Sequence, residues 1–475
     1  LTAINSPLAG IASEKKLGLD LGVLRPSKVG AALALAMGFF AYLPYPAIPA
    51  GNNTAIQAGN LLTLLMVLPV ISLPWSRKPF MLYPVLVIPL LISAMKVSIS
   101  EGNPLIGFKL ASLWIFSMLT LVAGQLYAPR YPIHMMVGIA ICSLLHCAVG
   151  AWQMYGFHAG YLPLAFLYVN PSFASVQLAM KSIIMYVQRP FGLFPEPSAM
   201  SSSLGPWILF WFALALDVVK LRTPVSKWLK VLFSTAAVCS LALTLASRSG
   251  HIVFILAGLG VIFSVWMTRR HSAVTMYAIL VVVVGVIIPL LLWFTTQSLQ
   301  SRMQAARNET DSWEDRSSSL EVGFRLAFMS DGPTLIFGMG VGQSNIALWD
   351  NARLEAVWSV LLTYIYEQGI IGLIAVIWVG VQLVEVWRRT RFKSVYAALT
   401  FVWAIGITLT TSYQQLLPTW IFLAWLTVWR DICDDGFVEF SSSGMFRKLK
   451  PGKVSEFAES LRQPGPSRVR GGHAK

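Results

Sequence analysis

The stretch PIHMMVGIAICSLLHCAVGAWQM, residues 132–154, carries no Lys, Arg, Asp or Glu and is long enough to cross the hydrocarbon layer of a bilayer as one helix. Counting apolar runs of roughly 20 residues gives about twelve such spans, near 29–47, 59–75, 80–96, 105–127, 132–154, 198–219, 230–247, 251–267, 273–294, 357–386, 395–412 and 417–430. Composition agrees: 56% of residues are hydrophobic and 12% charged, with 17 Trp and 26 Phe, which excludes an ordinary soluble domain. The expected fold is an all-α integral membrane protein of about twelve transmembrane helices. Two long periplasmic loops, near 153–197 and 295–356, are expected to contain short helices.

Orientation follows from Lys and Arg, because short loops rich in them stay in the cytoplasm. Alternate loops carry Arg77 and Lys78, then Arg130, then Lys220, Arg222, Lys227 and Lys230, then Arg269 and Arg270, then Arg388, Arg389, Arg391 and Lys393. Acids and bases mix in the two long loops, which are therefore placed outside, with both ends of the chain inside. The expected divisions are a cytoplasmic tail at 1–28 without a cleavable leader, a membrane domain at 29–430, and a basic Ser/Gly/Pro-rich tail at 431–475. That last tail is expected to be disordered and to rest on anionic membrane lipid. The formal charge of +15 is spread over many cytoplasmic turns and does not imply nucleic acid as a partner. The cysteines and histidines show no metal-ligand spacing, so neither a metal nor a cofactor is expected. No fixed-period repeat and no inverted pair of broken spans points to a transporter.

The first outer loop ends in Arg189-Pro-Phe-Gly-Leu-Phe-Pro-Glu196-Pro-Ser198. An arginine and a glutamate in a Pro/Gly-stiffened turn beside hydrocarbon are energetically expensive, which makes both functional candidates. Pro197 suits the first turn of a helix, where its missing donor is not needed. Glu196 then lies at the positive end of the helix macrodipole and can take a proton from a hydroxyl; simple helix capping is the alternative. Upstream, Phe173, Val176, Met180, Ile183, Ile184 and Val187 recur at helical spacing. They predict an amphipathic helix over 173–187, either lying on the membrane or packed on the bundle.

The second outer loop holds Arg302, Arg307, Arg316, Arg325 and Arg353. Within it Ser318-Ser319-Leu320-Glu321 reads as a capping box, and Leu320, Phe324 and Phe328 mark one face of a helix that ends at Asp331-Gly332-Pro333. Arg325 follows Glu321 by one helical turn, so a surface ion pair fits it as well as a ligand does. Arg248 occupies a tight outer turn, Ser247-Arg248-Ser249-Gly250, where interfacial snorkelling is the alternative. Gly338-Met339-Gly340-Val341-Gly342 lacks the Lys-Ser/Thr of a phosphate loop and reads as a backbone turn whose Gly340 and Gly342 approach a ligand closely.

The order of these parts resembles the bacterial O-antigen polymerase and O-antigen ligase superfamily, which includes exopolysaccharide polymerases. The matching stretches are Arg189 to Ser198, Ser247 to Gly250, Ser317 to Arg325, Gly338 to Gly342, and Tyr366-Glu367-Gln368-Gly369-Ile370-Ile371-Gly372. The resemblance implies a multi-pass protein of the bacterial inner membrane with its active site facing the periplasm. Its substrate would be an undecaprenyl-diphosphate-linked oligosaccharide, with membrane lipids around it; a co-polymerase that regulates chain length is a partner the resemblance admits. The implied reaction is a metal-independent, inverting transfer of glycan from undecaprenyl diphosphate to a sugar hydroxyl on a lipid-linked repeat unit. In that scheme Glu196 is the base, Arg189, Arg248 and Arg325 bind the diphosphate, and Arg316, Arg353, Gly340 and Gly342 contact substrate. Many members carry a His-Asn pair ahead of the Glu-x-Gly-x-x-Gly stretch; the corresponding positions here are Trp358 and Ser359, a departure that favours a polymerase over a ligase. A lipid-linked oligosaccharide flippase is the alternative from another class, and it predicts charges inside several spans.

Overall fold

The computed structural model describes residues 27–45, 47–49, 55–68, 82–103, 105–168, 189–215, 219–245, 317–329, 332–352, 359–390 and 416–433. In chain order the elements are α1 (Lys28–Phe40), β1 (Ala47–Pro49), β2 (Ala55–Gln57), α2 (Ala58–Val67), α3 (Leu82–Ser100), α4 (Ile106–Tyr127) and α5 (Pro132–His158). They continue with α6 (Pro197–Ala215), α7 (Lys227–Thr244), α8 (317–328), α9 (Gly332–Phe337), α10 (Ser344–Ala352), α11 (Val360–Thr390) and α12 (Leu417–Thr427).

Among the described residues six helices, α3, α4, α5, α6, α7 and α11, are long and apolar enough to cross a membrane. The shorter apolar helices α1, α2 and α12 fall where further spans are expected. The expected spans near 251–267, 273–294 and 395–412 and the helix over 173–187 lie outside the described residues.

The helices approach closely because glycine stands where backbones cross, the usual solution where lipid removes any hydrophobic drive for association. In the α1–α5 pair a Cβ on Gly38 would lie 2.1 Å from Met135 O, and one on Gly138 would lie 2.0 Å from Leu35 O. Gly107 seats α4 against Ala94 of α3 in the same way, at 1.9 Å. Helix α6 is central: its side chains from Ala199 to Ala215 are all buried. Trp207 and Phe210 of α6 pack edge-on against Trp425 of α12, with ring centroids 5.1 and 5.7 Å apart.

Four local differences from the sequence reading have physical causes. The first span stops at Phe40 rather than near 47, because Pro44, Pro46 and Pro49 cannot continue a helix, and the chain turns back through the antiparallel pair β1–β2, with Ile48 opposite Ile56. The fold is therefore mostly but not wholly helical. Helix α5 runs to His158, four residues beyond the span expected to end near 154 and into the loop expected from about 153. Helix α8 buries Ser319, Gly323 and Ala327 and leaves Leu320 and Phe324 exposed. Gly323 decides that face, since a Cβ there would stand 2.5 Å from the Tyr366 ring. Finally, order extends past 430: Arg222 N donates to Ile432 O at 2.9 Å, and Leu221 bridges Cys433.

The Lys/Arg pattern predicts that Glu101→Cys and Ser317→Cys react with an impermeant maleimide from outside intact cells, whereas Thr223→Cys reacts only after permeabilisation. Labelling of Glu101→Cys and Thr223→Cys from the same side would break the alternation on which the orientation rests.

Candidate functional site

The segment Arg189 to Glu196 is not an exposed loop. Phe191, Leu193 and Phe194 are buried in the main core. Non-helical backbone at this depth must have its polar groups satisfied by protein. Helix α5 supplies those partners. Gln153 Oε1 accepts from Phe191 N and Gly192 N, both at 2.9 Å, while its Nε2 donates to Gly192 O at 2.8 Å. The Tyr168 hydroxyl accepts from Gln153 Nε2 at 2.6 Å and donates to Gly192 O at 2.7 Å. Burial pushes that phenol well above its ordinary pKa, so it keeps the proton it donates.

Two turns of helix before Gln153 stands His146, on the same face of α5. Its Nδ1 accepts from Leu193 N at 2.9 Å, which places the ring proton on Nε2, where it meets Tyr42 O at 2.7 Å. The imidazole stacks on Phe194 with centroids 4.4 Å apart. Gly192 has φ 57, and a Cβ there would lie 2.9 Å from His146 Nδ1, so this turn admits only glycine. Beyond the buried stretch the chain emerges at half-buried Glu196, whose Oε1 accepts from the Ser198 hydroxyl, and Met200 N caps back to Glu196 O at 3.1 Å as α6 begins. Ser198 thus orients the carboxylate as well as opening the helix.

A second buried turn is built on α11. That helix breaks at Gly369, with φ 63 and ψ −146. The carbonyls just before the break turn instead to the glycine loop: Met339 N donates to Tyr366 O at 2.9 Å and Gly340 N to Glu367 O at 3.1 Å. The fit leaves no room for side chains, since a Cβ on Gly338 would lie 2.3 Å from Glu367 C and one on Gly369 would lie 2.4 Å from Gly338 N. Ser93 of α3 donates to Glu367 O at 3.0 Å, and Lys96 donates to Gly338 O. The Glu367 carboxylate, 2% exposed, accepts from Ser344 Oγ at 2.8 Å and from the backbone amides of Gly342 and Ser344. Its Oε2 and both amide atoms of Gln368 are buried with no hydrogen-bond partner among the described residues.

An apolar cavity of about 290 Å³ lies between α6 and α11 and extends to α12. Ser202, Ser203 and Pro206 line it from α6, two to three turns after Glu196; Tyr364, one turn before Glu367, and Gly380 line it from α11. The cavity therefore approaches each turn from below and follows much of the length of α11.

The structure thus brings Arg189 and Glu196 onto one held turn and Gly340 and Gly342 onto another. Arg325 lies on exposed α8, paired with Glu321 at 3.0 Å. Arg248, Arg316 and Arg353 lie outside the described residues, as do Arg302 and Arg307. Sequence reasoning did not single out His146, Gln153, Glu367 or Lys96 as the side chains that hold these two turns. The available signal was an ionisable or amide side chain inside an apolar run, which membrane burial tolerates only with a specific partner. Among the described residues no group of His, Cys, Asp and Glu could hold a metal ion. The chain matches no protein-family model and no curated protein.

Gly192→Ala and Gly338→Ala should each destabilise the protein by about 2 kcal/mol or more, because positive φ and backbone contact act together. Gly380→Ala has nothing within 4 Å of the added Cβ, and should stay within about 0.5 kcal/mol of the parent. Thermal unfolding of the purified proteins in detergent measures both, and equal midpoints for Gly192→Ala and Gly380→Ala would contradict the packing described.

Proposed function

We propose that this chain is an inner-membrane polysaccharide polymerase that transfers a growing glycan from undecaprenyl diphosphate to a sugar hydroxyl of a lipid-linked repeat unit. The observation that carries the reading is the buried turn that presents Arg189 and Glu196 together at the start of α6, with an apolar cavity beginning two turns below. A lipid-linked sugar has the same division, a polar head at the interface and a long apolar tail. The motif order described in the sequence supports the same assignment.

The chemistry is a displacement at the anomeric carbon. Glu196 takes the proton of the acceptor hydroxyl as its oxygen attacks, a new glycosidic C–O bond forms, and the bond to the diphosphate breaks with its electron pair leaving on the diphosphate. Attack from the face opposite the leaving group inverts the centre. Arg189, with Arg248 and Arg325 as further guanidinium candidates, stabilises the charge on the departing diphosphate by paired, charge-assisted hydrogen bonds. The Ser198 hydroxyl donates to Glu196 Oε1 and so restrains the carboxylate. Arg316, Arg353 and the glycines 340 and 342 are proposed to contact the oligosaccharide.

Two alternatives have specific observations behind them. A ligase would pass the same glycan to another acceptor, but Trp358 and Ser359 stand where the ligase-like histidine pair is expected. A flippase predicts charges within spans, and Lys96 and Glu367 are such charges. Lys96, however, bonds Gly338 O and Thr334 of α9, and Glu367 bonds Ser344 of α10 and the Gly342 amide, which favours a supporting role for both over steps on a path across the bilayer.

Glu196→Gln should abolish polymer and leave single repeat units on the carrier in a strain lacking the native protein, with the variant present in the membrane at parental level. Long polymer stranded on the carrier in the deletion strain would instead indicate a ligase. Arg189→Lys should lose nearly as much activity as Arg189→Ala, since the ammonium keeps the charge without the planar fork. Gly380→Leu, which projects into the cavity, should raise the KM for lipid-linked donor. Normal polymer from Glu196→Gln removes Glu196 as the base.

A further inference from the structure

We infer that His146 and Gln153 are positioning residues that act on the reaction only through the Arg189–Glu196 turn; this rests on the function proposed above. The turn is six residues of irregular backbone between its two charged side chains; α5 holds the amides of Phe191, Gly192 and Leu193 and the Gly192 carbonyl, Tyr168 shares that carbonyl, and Phe194 N closes on Phe191 O within the turn. Gln153 binds the turn by three hydrogen bonds, to Phe191 N, Gly192 N and Gly192 O. His146 adds a fourth through Leu193 N and a ring stack on Phe194. The same imidazole reaches Tyr42 O just beyond the end of α1, so the turn is referenced to the rigid α1–α5 pair. Both side chains are fully buried, at 0% exposure, so neither is placed to touch substrate. What they determine is where Arg189 and Glu196 emerge.

The two nitrogens of His146 have separable duties, and that makes the inference testable. An asparagine side-chain oxygen occupies the place of Nδ1, so His146→Asn keeps an acceptor for Leu193 N and loses the bond to Tyr42 O. A glutamine side-chain nitrogen occupies the place of Nε2, so His146→Gln keeps the Tyr42 bond and leaves Leu193 N without its partner. His146→Phe keeps the stack and loses both. If the histidine acts by holding the turn, activity follows the Leu193 bond and not the total number of bonds lost.

The experiment uses the full chain in proteoliposomes with lipid-linked repeat units as substrate. His146→Gln and His146→Phe should lower kcat by about tenfold or more with KM little changed, because misplacement of a reacting group acts on the transition state. His146→Asn should remain within about threefold of the parent. Gln153→Leu should resemble His146→Phe. Should that variant fail to fold, Tyr168→Phe, which removes the hydroxyl's bonds to Gln153 Nε2 and Gly192 O but leaves the three bonds from Gln153 to the turn, should give a smaller kcat loss in a folded protein. A second readout needs no activity: in a Ser198→Cys background, the rate of reaction with a methanethiosulfonate reagent should rise for His146→Gln and His146→Phe and stay near parental for His146→Asn. Equal kcat losses and equal labelling for Asn and Gln variants would reduce His146 to a packing residue and overturn the inference. Absence of turnover by the parent together with the labelling order above would overturn the polymerase reading and leave the positioning role standing.

Discussion

Backbone at membrane depth must find its hydrogen bonds within the protein, and the arrangement of this molecule follows from how two irregular segments meet that demand. A helix satisfies itself, so most of the chain is helix. The Arg189–Glu196 turn cannot, and α5 carries Gln153 and His146 at a two-turn spacing that matches it. The Gly338–Gly342 turn cannot either, and it closes on carbonyls that the break in α11 at Gly369 releases. Each irregularity is tied to a particular partner, one to polar side chains in a neighbouring helix and the other to a second irregularity.

The two solutions differ in what they leave exposed to chemistry. At the first turn the polar groups of the middle are consumed and the two ends, Arg189 and Glu196, emerge half-buried. At the second, the acid itself is buried: Glu367 ties α10 and the glycine loop to α11 through Ser344 and backbone amides, while its other oxygen and the Gln368 amide remain unpaired among the described residues. Unpaired buried polar atoms of this kind cost about 1–3 kcal/mol each and persist in native proteins where function or the wider packing holds them. The cavity between α6 and α11 lies below both turns, so displacement of either would alter the cavity's upper end.

Much of this organisation was legible in the chain. Apolar runs with little or no charge located the long helices among the described residues to within a few residues, since crossing hydrocarbon demands length and little else. Pro197 after Glu196 marked the start of α6, and the Pro/Gly content of 189–198 marked a stiff turn. The turn was read as lying beside hydrocarbon, but what holds it there could not be read: its partners Gln153 and His146 lie within a stretch read merely as a span, and only their three-dimensional placement makes its burial tolerable. The buried face of α8 was not legible for a related reason: Gly323 has no hydrophobic weight in a periodicity count, yet its lack of a side chain is what lets Tyr366 approach. Glu367 and Lys96 were visible as charges in apolar runs, but their common partner, the glycine turn, lies far away in sequence.

Under the function proposed above, this distribution of support gives a reason for placing reacting groups on such turns instead of on the spans themselves. A side chain on a transmembrane helix is fixed by that helix but surrounded by its neighbours' side chains, so a diphosphate and two sugars would have to enter the bundle. The turn leaves the Arg189 and Glu196 side chains half-buried at its ends, the candidates proposed above to react, while Phe191, Leu193 and Phe194 between them remain in the core. The cost is a run of buried amides that must all be matched, and Gln153, with one oxygen accepting two of them and its nitrogen bound to the carbonyl between, matches three polar groups with one side chain. Loss of that single amide would leave the Phe191 and Gly192 amides unsatisfied together, with Gly192 O still held by the Tyr168 hydroxyl, which is why its effect should exceed that of any one hydrogen bond.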